Sequence, residues 1–580
     1  MRDALMYDQV PLASAASHLL DALQTFGIEY VFANLGSDHP GIVEAFALAA
    51  ETGRPLPKLI TCPNEMVAMS AAHGHAMVSG RAQAVLVHVE CGTQALAGAV
   101  HNADKGRVPV LLLAGASPFT QDGEARGSRN EFIHWIQDVH DQRGLVRGYM
   151  RYDAELRTGA NIGQMIGRAL TFAHSEPQGP VYLMAAREVL EAEFPAIPLD
   201  PAHWRPLAPA ALAPPDLAAL AQDLLAAQRP LVVTSYAGRN PGVPSLLAAL
   251  ADRTGLGVIE SAPSRLNLAH DHPAYLGNQW NQQHQNAALA EADFVLVLDA
   301  DVPWIPTVSR PAPGARIWHL DLDPLKQAMP VFWLHAARTA RVDAETALRQ
   351  LLDSLGSVDP AHAQARRAHW LRLRDARATT LAARETLYAE GRLTPAMLTA
   401  RIRAKLPQGA IVLNEGITNY GVICDHIAPT EPGCFYTSGA GSLGWNGGAA
   451  IGAKLAAPDR FVASLTGDGC FLFSVPSSVH WMARRYQTPF LQVVYDNGGW
   501  GAPRFSTLAV HPTGAASRSR SIGVEFDQPA DYAGIAEASG GAHPERVETA
   551  DQLDAALDRA IEMVAVHRRT AVVSVKLPRH

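Results

Sequence analysis

Short apolar runs alternate along this chain with stretches whose apolar residues recur at helical spacing. Ala84-Val85-Leu86-Val87 and the run Val108 to Leu113 flank a helical pattern from Ala95 to Lys105. The arrangement repeats at Leu231-Val232-Val233, Phe294 to Leu298 and Ile317 to Leu322. It returns at Ala410-Ile411-Val412-Leu413, Phe461 to Leu465, Leu491 to Tyr495 and Ala571 to Val575. Such short, wholly apolar runs predict strands buried on both faces, hence parallel sheets covered by helices. Two segments break the pattern. Glu191 to Pro215 is rich in proline and cannot continue a helix or a central strand. Asp359 to Glu390 is rich in Arg and Ala, reads as helical, and leads to a helix start at Thr394-Pro395. The expected class is α/β, with three consecutive doubly wound parallel-sheet domains. They divide as 1–190, a Pro-rich linker 191–215, a central Rossmann-like domain 216–356, a helical linker 357–390, and a last domain 391–580.

The full length of 580 residues suits three such domains, and 48% hydrophobic with 18% charged residues suits globular cores. A net charge of −8 without any basic stripe excludes a nucleic-acid binder. No run resembles a membrane-spanning helix, and Met1 to Val10 lacks the apolar core of a signal peptide. Cys62, Cys91, Cys424, Cys434 and Cys470 have no metal-type spacing. Free thiols fit a reducing compartment, so a cytoplasmic location is the default expectation.

Chemistry enters at Gly467-Asp468-Gly469, which follows one strand, and Asp496-Asn497-Gly498-Gly499, which follows the next. Asp468 offers a carboxylate, Asn497 a side-chain carbonyl and Gly499 a backbone carbonyl. Such oxygens at the two ends of a βαβ unit suit Mg²⁺, a hard cation usually shared between few protein ligands and phosphate oxygens. A lone Gly-Asp-Gly would read as a capped turn; the paired Asp468 and Asn497 favour a site.

Similar outer blocks around a different middle one, with Cys62-Pro63-Asn64-Glu65 ahead of Ala68, Ala71, Ala72 and Gly74, carry a resemblance. The chain resembles thiamine diphosphate-dependent decarboxylases and carboligases, the group of acetolactate synthase, benzoylformate decarboxylase and 2-hydroxyacyl-CoA lyase, over nearly its whole length. The resemblance implies that the first domain binds the pyrimidine and the last binds Mg²⁺ and diphosphate. Glu65 matches the catalytic glutamate, whose carboxyl on the pyrimidine nitrogen turns the cofactor into its own base. Leu443, in Gly439-Ala440-Gly441-Ser442-Leu443-Gly444, matches the apolar wedge that bends the cofactor. Gln137 and, in one branch, His88 and Ser37 match substrate-side positions. Val87 to Gln94 stands where relatives have a Gly-rich loop beside the substrate. His73, His75 and His101 read as packing or exposed residues. Cofactor contacts are expected at Asn414, Gly441, Leu443, Gly467, Asp468, Gly469, Cys470, Asn497 and Gly499, with Asp468, Asn497 and Gly499 on the metal. Relatives share each site between subunits, which implies a homodimer or homotetramer.

Some positions depart from the family pattern. Asp496 replaces an Asn, Cys470 replaces a common Ser, Asn446-Gly447-Gly448 replaces Gly-Leu-Pro, and the segment Asp301 to Pro306 has no His. The middle domain, where relatives place FAD or ADP, has only a single-Gly turn at Tyr236 to Asn240, so FAD is possible but not indicated and a structural spacer is expected. The expected activity forms or cleaves a carbon–carbon bond beside a carbonyl. Its donor is a 2-keto acid, a 2-hydroxy ketone or an acyl donor, with an aldehyde or ketone as a further acceptor. A flavin-linked oxidase, a C–C hydrolase and a noncatalytic nucleotide-binding homologue are the competing readings.

Overall fold

The computed structural model describes residues 12–386, 388–389 and 392–579; the Met1 to Val10 segment and the boundary at 390–391 lie outside them. Three sheets of six parallel strands follow one another. The first has β1 (Tyr30–Ala33), β2 (Lys58–Thr61), β3 (Ala84–Val87), β4 (Leu111–Ala116), β5 (Tyr152–Leu156) and β6 (Val181–Ala186). The second has β7 (Pro230–Thr234), β8 (Gly257–Ser261), β9 (Tyr275–Gln279), β10 (Phe294–Leu298), β11 (Arg316–Asp321) and β12 (Arg338–Arg341). The third has β13 (Ile411–Glu415), β14 (Phe435–Tyr436), β15 (Val462–Gly467), β16 (Leu491–Asp496), β17 (His543–Val547) and β18 (Ala571–Lys576).

The outer sheets share one permutation, β2-β1-β3-β4-β6-β5 and β14-β13-β15-β16-β18-β17, while the middle one runs β9-β8-β7-β10-β11-β12. In each, the chain winds outward on one side and returns to wind the other way. That reversal opens a crevice at the carboxyl ends of two adjacent strands: β1 and β3, β7 and β10, β13 and β15.

Two expected boundaries move. The strand expected at Val108 begins at Leu111, because Pro109 has no N–H for the ladder and Arg107 turns at φ 53°. The expected loop through Gln94 is helix: α2 spans Val89–Lys105. Its N-terminal N–H at Val89 is capped by Asp38 Oδ2 at 3.1 Å, a partner from another loop. Within the proline-rich connector, Glu193–Pro195 pairs antiparallel with Leu12–Ser14, and a helix begins at Pro214. The Arg- and Ala-rich segment forms α3 (Pro360–Arg384), fastened to the central domain by buried Arg366, which donates to the Thr254 and Leu225 carbonyls.

The outer domains meet through α1 (Glu65–Ser79) and α4 (Trp445–Ala456), two helices in backbone contact. A Cβ on Gly74 would stand 2.3 Å from the Ala449 carbonyl oxygen, and one on Gly452 would stand 1.9 Å from that of Ala71. The two cores therefore merge: Val67, Ala68, Ala71 and Ala72 share one buried cluster with Trp445, Ala449, Ala450 and Ala453. His73 and His75 lie inside this packing, where burial lowers them to about 3 and about 4, so both stay neutral. Gly452→Ala should force the helices apart and cost about 1–3 kcal/mol, the usual penalty of overpacking. Gly356→Ala, in open space, is the control. Equal melting temperatures for the two variants would refute the close-packing argument.

Candidate active site

In the third domain the crevice between β13 and β15 is a cavity of about 290 Å³. Gly416 to Thr418, Gly441, Leu443, Gly467 to Cys470, Asn497, Gly499 and Trp500 line it. Asp468 opens α5 (Asp468–Phe473) at the end of β15 and is 1% exposed. Its Oδ1 accepts the Gly469 N–H at 2.7 Å, and its Oδ2 accepts those of Gly498 and Gly499, each at 2.8 Å. The loop after β16 can wrap the carboxylate because Gly498 and Gly499 take φ of 77° and 137°. Asn497 spends its amide N–H on the Gly499 carbonyl at 2.7 Å, which leaves Oδ1 uncommitted. Burial raises Asp468 to about 6, and the Asp496 charge adds to the rise against the three backbone N–H groups.

This donor set fits a divalent cation carrying a diphosphate. The lining includes a carboxylate and an amide oxygen but neither Lys nor Arg, a set that suits a cation bridging to phosphate oxygens. Cys470 is buried, and its thiol is pushed well above the usual range by burial and then by Glu415 and Asp468. It stays a neutral, weak donor.

Leu443 lines the cavity half-buried, while Asn414 does not reach it. The Asn414 amide shapes the turn after β13, accepting the Gly416 N–H and donating to the Tyr420 carbonyl. The neighbouring Glu415 escaped the sequence reading. It is buried and accepts the Trp445 and Asn446 N–H groups at 3.1 and 2.8 Å, capping α4 and so fixing where Leu443 stands. Burial raises it to about 7. Only a partner thirty residues away explains this glutamate, and no local motif announces it.

In the first domain the crevice between β1 and β3 collects most of the residues expected on the substrate side. His88 Nδ1 lies 2.5 Å from Asp38 Oδ1, and Asp38 Oδ2 lies 3.3 Å from His39 Nε2. Burial alone would raise Asp38, but the His88 hydrogen bond and the two imidazoles hold it below its usual value. In return the Asp38 hydrogen bond raises His88. The Gln137 amide is buried, and its nitrogen and oxygen have no hydrogen-bond partner among the described residues. Ser37 Oγ is 3.2 Å from His134 Nε2. Glu65, in the first turn of α1 behind the Asn64 cap, accepts from Asn34 Nδ2 at 2.8 Å. Asp38, His39 and Asn34 were missed by sequence reasoning. The adjacent Asp-His pair after Ser37 was the available signal for the first two.

The two halves do not close on each other within one chain. Gly92 lies beside Glu65, whereas Gly98 and Asn102, further along α2, meet Ser442, the neighbour of Leu443. At 1.5 Å per residue that is roughly 9–15 Å of helix. No residue of the first domain lines the Asp468 cavity.

The central crevice is filled by protein. Arg107 from the first domain forks onto Asp301 at 2.9 and 2.7 Å and lies 3.9 Å from the Tyr236 ring centroid. Lys326 and the Tyr236 hydroxyl both donate to Asp321. FAD is not indicated.

Three family models match the chain in order. That of the thiamine pyrophosphate enzyme N-terminal TPP binding domain covers residues 13–145, the central domain 217–356, and the C-terminal TPP binding domain 416–575. The chain belongs to the thiamine pyrophosphate enzymes. It is 27% identical to the "Probable 2-ketoarginine decarboxylase" of Pseudomonas aeruginosa, over 89% of this chain and 90% of that protein. It is 25% identical to the benzoylformate decarboxylase of the same organism, over 84% and 86% respectively. The fold is similar to that of the thiamine diphosphate-dependent 4-hydroxybenzoylformate decarboxylase of Rhodococcus jostii, with a TM-score of 0.75 at 21% identity, covering 98% of this chain and all of that one. No helix among the described residues is long and apolar enough to cross a membrane.

The Asp38–His88 pair makes a pH prediction. With Asp38 present, the imidazolium persists to higher pH than a free histidine. In Asp38→Asn the His88 titration midpoint, followed by NMR, should therefore move to lower pH, carrying any rate limb that depends on it. An unmoved midpoint would show that Asp38 is not the cause.

Proposed function

We propose that this enzyme uses thiamine diphosphate and Mg²⁺ to form or cleave a carbon–carbon bond next to a carbonyl, as a 2-keto acid decarboxylase or carboligase. The observation that carries the reading is the Asp468–Asn497 cavity, whose fixed oxygens and lack of cationic side chains suit a metal-bound diphosphate. When bound, the cofactor supplies a nucleophilic carbon and an electron sink for the bond that breaks.

The chain's own residues supply the rest. Asp468, Asn497 Oδ1 and the Gly499 carbonyl hold the metal. Leu443, fixed by the Glu415 cap, sets the shape of the bound group. The Glu65 carboxyl, oriented by Asn34, holds a proton against the pyrimidine ring. His88, whose protonated form Asp38 favours, and the unpartnered Gln137 amide orient the donor and hold a proton at its oxygen, with Ser37 beside them. Because Glu65 and Leu443 stand apart in one chain, a complete site joins the first domain of one copy to the third of another. The reading is thus of a homodimer or homotetramer, acting in the cytoplasm.

Glu65→Gln should slow proton exchange at the reactive cofactor carbon by about 10²–10⁴-fold, the usual contribution of a positioned acid–base group. Exchange at the wild-type rate would remove Glu65 from this role. Asp468→Ala should weaken Mg²⁺-dependent cofactor binding by about 30-fold or more, as when one partner of a buried charge contact is truncated. Unchanged calorimetric affinity would reject the metal site.

A further inference from the structure

Two strands along the first sheet from His88, the chain buries a guanidinium that has no ion pair among the described residues. Arg187 directly follows β6 and is 7% exposed. Its Nη1 donates to Asn130 Oδ1 at 2.9 Å and lies 3.2 and 3.5 Å from the two ring nitrogens of His134. Distances so nearly equal place it over the imidazole face, because an edge-on hydrogen bond would favour one nitrogen. Nε is buried with no partner among the described residues.

His134 is no counter-ion. Burial, and then the Arg187 charge, hold it below its usual value, so the ring is neutral. Glu188, the next residue, accepts the Thr120 N–H and hydroxyl at 2.8 and 2.6 Å on Oε1 alone; its Oε2 is buried without a partner, and no ion pair joins it to Arg187 among the described residues. Other arginines of the region have carboxylate partners: Arg126 pairs with Glu191 at 3.0 Å and Arg129 with Asp138 at 2.7 Å. A buried cation left unpaired is costly, which points to a partner that arrives from outside.

The position says what that partner is. With strands β3, β4 and β6 adjacent at about 4.8 Å spacing, Arg187 starts about 10 Å from His88 along the carboxyl edge. It connects back to the crevice through His134 and Ser37. A cation holding the carboxylate that must leave as CO₂ would stabilise the starting state more than the transition state and slow the reaction. A cation holding a retained group carries no such penalty.

We infer that the donor bears a second, retained carboxylate that Arg187 binds: the substrate class is a 2-oxo dicarboxylate of five or six carbons. The inference rests on the proposed reading of the site as that of a 2-keto acid enzyme.

The test compares 2-oxoglutarate, 2-oxopentanoate and 5-guanidino-2-oxopentanoate as donors for the enzyme loaded with thiamine diphosphate and Mg²⁺. Alongside, glutarate and pentanoate binding is measured by calorimetry. The dicarboxylate should exceed the neutral donor in kcat/KM by about 30-fold or more, the scale of a buried charge contact, with the cationic donor poorest. Arg187→Met should collapse that ratio, mainly through KM, and Arg187→Lys should restore part of it. A wild-type ratio near one, or a ratio that Arg187→Met leaves unchanged, overturns the inference. Proton exchange at the cofactor carbon, which needs no donor, judges the underlying reading separately. If exchange is absent that reading falls, and preferential binding of glutarate over pentanoate, lost in Arg187→Met, still decides for or against Arg187 as a carboxylate site.

Discussion

The contact between α1 and α4 is the constraint on which the rest depends. Two helices with glycines facing each other's carbonyls can approach until only backbone separates them, and Gly74 and Gly452 sit where any side chain would collide. That approach merges two domain cores into one and fixes the relative orientation of two similar sheets. Glu65 opens one of these helices, and Leu443 stands just before Gly444, the N-cap of the other. The packing thus holds Glu65 and Leu443 at a fixed separation within the chain.

A second theme is charge kept in dry places. Asp38, Glu415 and Asp468 are all buried, and each is held by backbone N–H groups at a helix start or in a glycine turn. Their environments differ in outcome. Asp38 faces two imidazoles and stays low, whereas Glu415 and Asp468 face mainly peptide dipoles and are raised. A carboxylate stabilised only by dipoles is well suited to gain a metal, since the incoming cation relieves its desolvation.

Much of this was legible in the sequence. Alternating apolar runs carry the three parallel sheets, because strands buried on both faces leave no polar positions. The nearness of Asp468 to Asn497 is readable because the two residues follow consecutive strands that pair directly, so sequence spacing maps onto space. What escaped the sequence depends on distant partners. The start of α2 is decided by Asp38, fifty-one residues before Val89, and the start of α4 by Glu415. Asn414 looked like a cofactor contact from its place at a strand end, but its short amide closes on its own turn. The significance of Arg187 comes from its lacking an ion pair among the described residues, and only three dimensions show that.

Arg107 has one further consequence. Its side chain leaves the first domain to fill the crevice of the second, where a doubly wound sheet would otherwise receive the phosphates of a nucleotide. A binding site has become a joint. Asp301, Asp321 and Tyr236 now bear on the mechanical continuity of the chain: an excised central domain would lose a cation from its acidic crevice.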